Sequence, residues 1–144
     1  MARPHFRAGV VIVVRRDDGA VLAFERADVP GEWQLPQGGI DRDEQTVDAA
    51  WRELAEETGL GPADVELVRE FPFWTIYEFP EGLRRHNHRF GQAHRWFEFR
   101  PRRDDLDPTP DGREFVAHRW MSVAELIDAV VEFRRRPYEQ VLGG

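Results

Sequence analysis

The chain of 144 residues contains no cysteine and, although 20 residues are basic, no lysine. Without cysteine there can be no disulfide, no thiolate nucleophile and no zinc–thiolate centre. An all-arginine basic set is what codon bias in a GC-rich genome produces. The arginine count alone therefore carries no function, although each planar guanidinium suits bidentate phosphate contacts. No run approaches the ~20 consecutive apolar residues that a membrane span needs. Residues Met1 to His5 lead straight into an apolar run and lack a signal peptide's core, so a cytoplasmic address is expected. Positive charge is also in deficit: a net of −7 argues against nonspecific nucleic-acid binding, DNA included. What remains, 41% hydrophobic and 33% charged residues with no repeat or linker, describes one globular domain over residues 1–144.

The pattern along the chain is α/β. Residues 6–15, FRAGVVIVVR, form an apolar, β-branched run expected as a buried strand. Asp17-Asp18-Gly19 is a turn signal, and 20–25 returns as a second strand to make a hairpin. Residues 26–43 are loop-rich. A helix is expected over 44–58, stopped by Gly59. Further strands are expected near 65–70, 74–79, 94–100 and 115–121. Ser122 and Glu125 make a capping box that opens a last helix to about Arg135, with Pro137 limiting its extension. Strands interleaved with two separated helices imply a layered α/β domain with a mixed sheet.

The chemistry concentrates in the first helix. Glu53, Glu56 and Glu57 share a face about 100° wide, beside an apolar stripe of Val47, Ala50, Trp51 and Leu54. Crowded carboxylates repel on an exposed helix, and a hard divalent cation with oxygen ligands reverses that sign. An isolated E-x-x-E-E is usually a solvated acidic face; its surroundings decide otherwise here. Counting from Gly38, the chain reads G-x5-E-x7-R-E-L-x-E-E-x-G-L, with Gly38, Glu44, Arg52, Glu53, Leu54, Glu56, Glu57, Gly59 and Leu60 at the specified positions. Nine matches arise by chance on the order of 10⁻⁹ per starting point.

This pattern is the Nudix box, and the chain resembles a Nudix hydrolase. The stretches WQLPQGGI, GQAHRWFEF and REFVAHRWM are similar to the branch that holds bacterial RNA pyrophosphohydrolases and diadenosine polyphosphate hydrolases. The resemblance implies an α/β/α sandwich with a mixed β-sheet between helices. It also implies Mg²⁺-dependent hydrolysis of a phosphoanhydride in a nucleotide or 5′-phosphorylated RNA, with Mn²⁺ as a possible substitute. Glu53, Glu56 and Glu57 would be catalytic metal ligands, joined by the Gly38 carbonyl and by Glu114, which is the other candidate base. Arg52 and Glu44 would support them. Arg7, Arg26, Gln37, Gly39, Tyr77, Gln92, Phe133 and Arg134 would bind substrate, with Phe133 and Arg134 holding the first RNA bases. The glycines would let a metal-bound phosphate chain approach the backbone. The run Arg84 to Arg89 reads as a basic loop that could face phosphates. A nucleoside triphosphate or ADP-ribose pyrophosphatase would share the same box with another base pocket. A non-catalytic nucleotide sensor would retain the fold, but has no use for three crowded carboxylates.

Overall fold

The computed structural model describes residues 5–84 and 89–143. Its elements, in chain order, are β1 (His5–Val14), β2 (Val21–Arg26), β3 (Trp33–Gln34), β4 (Gln37–Gly39), α1 (Thr46–Thr58), β5 (Val65–Glu78), α2 (Glu81–Arg84), β6 (Arg89–Pro101), β7 (Phe115–Met121), α3 (Val123–Ala129) and α4 (Glu132–Leu142). One sheet has the order β4-β1-β6-β5 and is mixed, because β1 runs parallel to β6 while its other neighbour is antiparallel. A second, antiparallel sheet has the order β3-β2-β7. Alternation along β1 explains the layering. Val10, Ile12 and Val14 enter the core with Ala50 and Leu54 of α1, whereas Val11 and Val13 enter the core with Leu126 of α3 and Tyr138 of α4. Helices therefore cover both faces, and the fold is an α/β/α sandwich. Among the described residues, no helix is long and apolar enough to cross a membrane.

Several expectations need correction. The turn at Asp17–Gly19 forms, with Gly19 at φ 88°, but the hairpin does not extend beyond a bridge between Arg15 and Val21. The strand β1 is buried on both faces, and β4 and β6 take its two edges while β2 joins the other sheet. The region 26–43 contains the short strands β3 and β4. Helix α1 starts at Thr46 rather than Glu44, because Glu44 turns its carboxylate back to the Asp41 amide and stays outside the helix. Gly59 does end it, in a left-handed conformation at φ 74°. The separate strands expected at 65–70 and 74–79 are one strand, irregular between Glu70 and Trp74. Pro72 lies inside that irregularity, where its missing N–H breaks no regular ladder.

The last helix is two. The capping box at Ser122 opens α3 as expected, but the chain becomes extended at Val130 and α4 then runs through Pro137 to Leu142. A proline in a helix interior costs about 3 kcal/mol or more. Burying Tyr138 and Leu142 returns roughly 1.5–3 kcal/mol each. In addition, the Tyr138 hydroxyl accepts a hydrogen bond from the Leu35 amide at 2.9 Å, and its ring meets Trp96 at 5.3 Å.

Candidate active site

Strand register assembles the site. Arg7, Gln92 and Tyr77 lie side by side on one rung across β1, β6 and β5. The rung two residues on holds Gly9, His94 and Thr75, and Gly9 faces Gly39 of β4. Side chains two apart share a face, so all of these look toward α4. Gly38, one residue from Gly39, looks toward α1.

That alternation accounts for the two glycines. A Cβ on Gly38 would collide with the carboxyl group of Glu53, and one on Gly39 with the guanidinium of Arg7. Neither glycine has positive φ, so close approach, not backbone freedom, requires them here. The approaching atoms belong to the protein itself, where the sequence led us to expect a substrate's phosphates.

On the α1 side, Arg52 is the hub. It donates to both carboxylate oxygens of Glu44 at 2.9 Å, to Glu53 Oε1 at 2.8 Å, to Glu56 Oε2 at 3.4 Å and to the Gly39 carbonyl at 2.8 Å. Arg52 and the Asp41 N–H hold the Glu44 carboxyl down at about 2, and the carboxylates in turn push the guanidinium pKa upward. Glu53 and Glu57 are buried, whereas Glu56 is exposed. Burial raises the Glu53 pKa despite Arg52. Burial, then the charges of Glu53 and Glu114, push Glu57 up to about 10. Glu57 therefore holds a proton at neutral pH, and accepts a bond from the Gln37 amide at 3.3 Å.

Glu114 reaches this place from the segment before β7. The Asp111 carboxylate accepts from the amides of Arg113, Glu114 and Phe115, and the Glu114 carbonyl accepts from the Ala27 amide. A cavity of about 280 Å³ is lined by Glu53, Glu57 and Glu114 on one side and by Arg7, Arg26, Arg134, Gln34, Gln37 and Gln92 on the other. A second cavity, of about 480 Å³, holds Glu56, Asp111 and Arg113 against the same three glutamates. Among the described residues, no three carboxylate or histidine side chains already form a cage for a cation; Arg52 engages two of the candidates and a proton occupies a third. The donor set nevertheless fits a hard divalent ion. It offers carboxylate oxygens and no sulfur, and its surplus negative charge is held in check by a proton that a cation can replace.

The other wall is cationic. Arg26 is bound by both oxygens of Asp28, at 3.0 and 2.8 Å, with Glu32 at 3.8 Å. Arg134 donates to Gln34 Oε1 at 2.7 Å and to the Tyr77 hydroxyl at 3.1 Å. Tyr77 and Phe133 do not line the cavity. Tyr77 is buried and its ring packs on His94, Phe79 and Phe133. Sequence reasoning missed Gln34, His94 and Asp111. Burial and the charges of Arg134 and Arg7 push the His94 pKa down to about 3, so it is neutral where it packs on the Tyr77 ring. Asp111 carried a signal, the Pro110-Asp111-Gly112 turn; His94 carried none beyond its alternation with Gln92. Arg84 bonds the Phe79 carbonyl, and residues 85–88 of the expected basic loop lie outside the described residues.

A model of the NUDIX domain matches residues 5–141. The chain belongs to the NUDIX domain family. It is 41% identical over 142 residues to an RNA pyrophosphohydrolase of Rhodospirillum rubrum, covering 95% of this chain and 85% of that one. Among solved structures, it is similar to the E. coli dihydroneopterin triphosphate pyrophosphohydrolase, with TM-score 0.77 at 20% identity over 95% and 97% of the two chains. It is also similar to a C. elegans Ap4A hydrolase, with TM-score 0.71 at 17% identity over 93% of each. These two likenesses are of fold. Nudix hydrolases cleave phosphoanhydride bonds in nucleotide substrates and generally use divalent metal ions.

Proposed function

We propose that this Nudix hydrolase is a cytoplasmic, single-domain enzyme that cleaves the polyphosphate of a 5′-triphosphorylated RNA end or of a dinucleoside polyphosphate. The carrying observation is the cavity whose one wall is a buried glutamate pair with Glu114 and whose other wall is three arginines. Such a site suits a chain of phosphates lying between a cation site and a guanidinium wall. The R. rubrum relative supports the RNA end as substrate.

Glu53, Glu56, Glu57, Glu114 and the Gly38 carbonyl are the groups that would hold Mg²⁺, with Mn²⁺ as a substitute. When bound, the cation supplies neutralisation of phosphate charge and a lowered pKa for water. The chain's own residues do the rest. Arg52 keeps Glu53 aimed, and Glu57 would give up its proton where it holds the cation. Glu114, exposed at the cavity, takes the proton of the attacking water as oxygen bonds to phosphorus and the leaving phosphate departs. Arg7, Arg26 and Arg134 steady the remaining phosphates.

Competition in one Mg²⁺-containing reaction tests this. A triphosphorylated oligonucleotide and diadenosine tetraphosphate should each exceed a free nucleoside triphosphate in kcat/KM, with the oligonucleotide leading because its second nucleotide adds contacts. Faster cleavage of the free triphosphate than of both would overturn the reading.

A further inference from the structure

Arg134 and Arg26 reach the same cavity, yet only one of them is neutralised. Asp28 grips Arg26 with both oxygens. Arg134 donates only to an amide oxygen and a phenol, and no carboxylate pairs with it among the described residues. Half-buried, it is tied to neutral acceptors, and the Asp28 charge acts on it only through space.

Its bonds also orient the amides around it. A guanidinium cannot accept, so the Tyr77 oxygen accepts from Arg134 and the single phenolic proton must go elsewhere. Gln92 Oε1 lies within hydrogen-bond reach of that hydroxyl and takes the proton. Gln37 Nε2 donates to the same oxygen at 3.2 Å, which fixes the sense of the Gln92 amide twice over. The Gln92 NH₂ is left pointing away from Tyr77. Gln34, whose oxygen is taken by Arg134, likewise has its NH₂ to offer. The wall thus presents N–H groups of Gln92, Gln34, Arg134 and Arg7. A base edge mixes donors and acceptors, whereas phosphate oxygens only accept, so this wall matches phosphates.

We propose that Tyr77 is the positioning residue of a polyphosphate-reading wall. Only 6% exposed, it acts through Gln92 and Arg134, setting the first as a donor and holding the second in place. This inference rests on the hydrolase reading above and assigns Arg134 to the phosphate chain, not to an RNA base.

Tyr77→Phe keeps the ring packing and deletes the hydroxyl. For a triphosphorylated oligonucleotide at saturating Mg²⁺, KM should rise about 10-fold while kcat stays within about 2-fold, the signature of lost binding and not of lost chemistry. Inhibition by inorganic tripolyphosphate should weaken by a similar factor, and inhibition by orthophosphate, too short to reach from the glutamates to the wall, should not change. Gln92→Glu retains the acceptor for Tyr77 but replaces the outward donor by a carboxylate oxygen. Its KM should rise at least as much, and it carries the test should Tyr77→Phe not fold. Unchanged KM and tripolyphosphate inhibition in the folded variants would overturn the role of Tyr77 alone. A wild-type protein that neither cleaves polyphosphate substrates nor binds tripolyphosphate would overturn the hydrolase reading beneath it.

Discussion

The two faces of the β4 strand make reactive charge in opposite ways. Toward α1, three glutamates (Glu44, Glu53 and Glu56) compete for Arg52, and burial with the charges of Glu53 and Glu114 pushes the Glu57 pKa up to about 10. Toward α4, Arg134 is hydrogen-bonded to neutral groups, and among the described residues no carboxylate forms a salt bridge with it, Asp28 acting on it only through space. Arg26 shows the contrast within one wall, since its carboxylate partners already occupy it. On the proposed reading, a divalent cation would complete one side and phosphates the other.

The sharpest way to break this comparison is at Glu57. Glu57→Gln keeps the shape and removes the charge that a cation would need, so kcat should fall by at least ~10²-fold at saturating Mg²⁺. Near-normal turnover would show that the acidic face is not the metal face.

The glycines offer an internal control on the two sides. Gly38→Ala drives a methyl into the buried Glu53 carboxyl, whose other side is fixed by Arg52. Gly39→Ala meets the end of the exposed, flexible Arg7. We expect Gly38→Ala to lower kcat by roughly 10-fold or more, as for misplaced catalytic groups. Gly39→Ala should mainly raise KM, by less. Equal kinetic effects would erase the distinction between the faces.

The smallest expected effect is on stability, read as Tm against pH in metal-free protein. The folded Glu57 pKa, raised from 4.5 to about 10, means that the folded state holds this proton more tightly than the unfolded chain does. That stabilisation is full below about pH 4.5 and is lost as pH rises through the folded value. Glu57→Gln should flatten this decline and leave the variant more stable by roughly 2–4 °C at pH 8. A wild-type Tm that climbs from pH 5 to pH 8 in parallel with the variant's would contradict the buried proton.

Much of this was legible from residue spacing. The box from Gly38 to Leu60, the left-handed Gly59 and the Ser122–Glu125 capping box depend on contacts a few residues apart, and those contacts repeat wherever the same spacing does. Boundaries were legible only where local chemistry set them. Glu44 left the helix for its bond with the Asp41 amide, and Pro137 entered one because Tyr138 and Leu142 could be buried. Neither outcome can be weighed without knowing what lies across the core.

The sequence by itself determined the fold family, the hydrolytic chemistry class and the set of acidic side chains on one helix face, since helical geometry alone brings Glu53, Glu56 and Glu57 together. Only the tertiary structure decided which of them are buried, that Glu53 and Arg7 fill the space beside the glycines, and that Arg134 is hydrogen-bonded to an amide oxygen and a phenol. Those facts arise between residues as far apart as Gln34 and Arg134 or Glu57 and Glu114. Their charges and hydrogen bonds act through space, at distances that strand register and the packing of α4 set and that chain spacing does not encode.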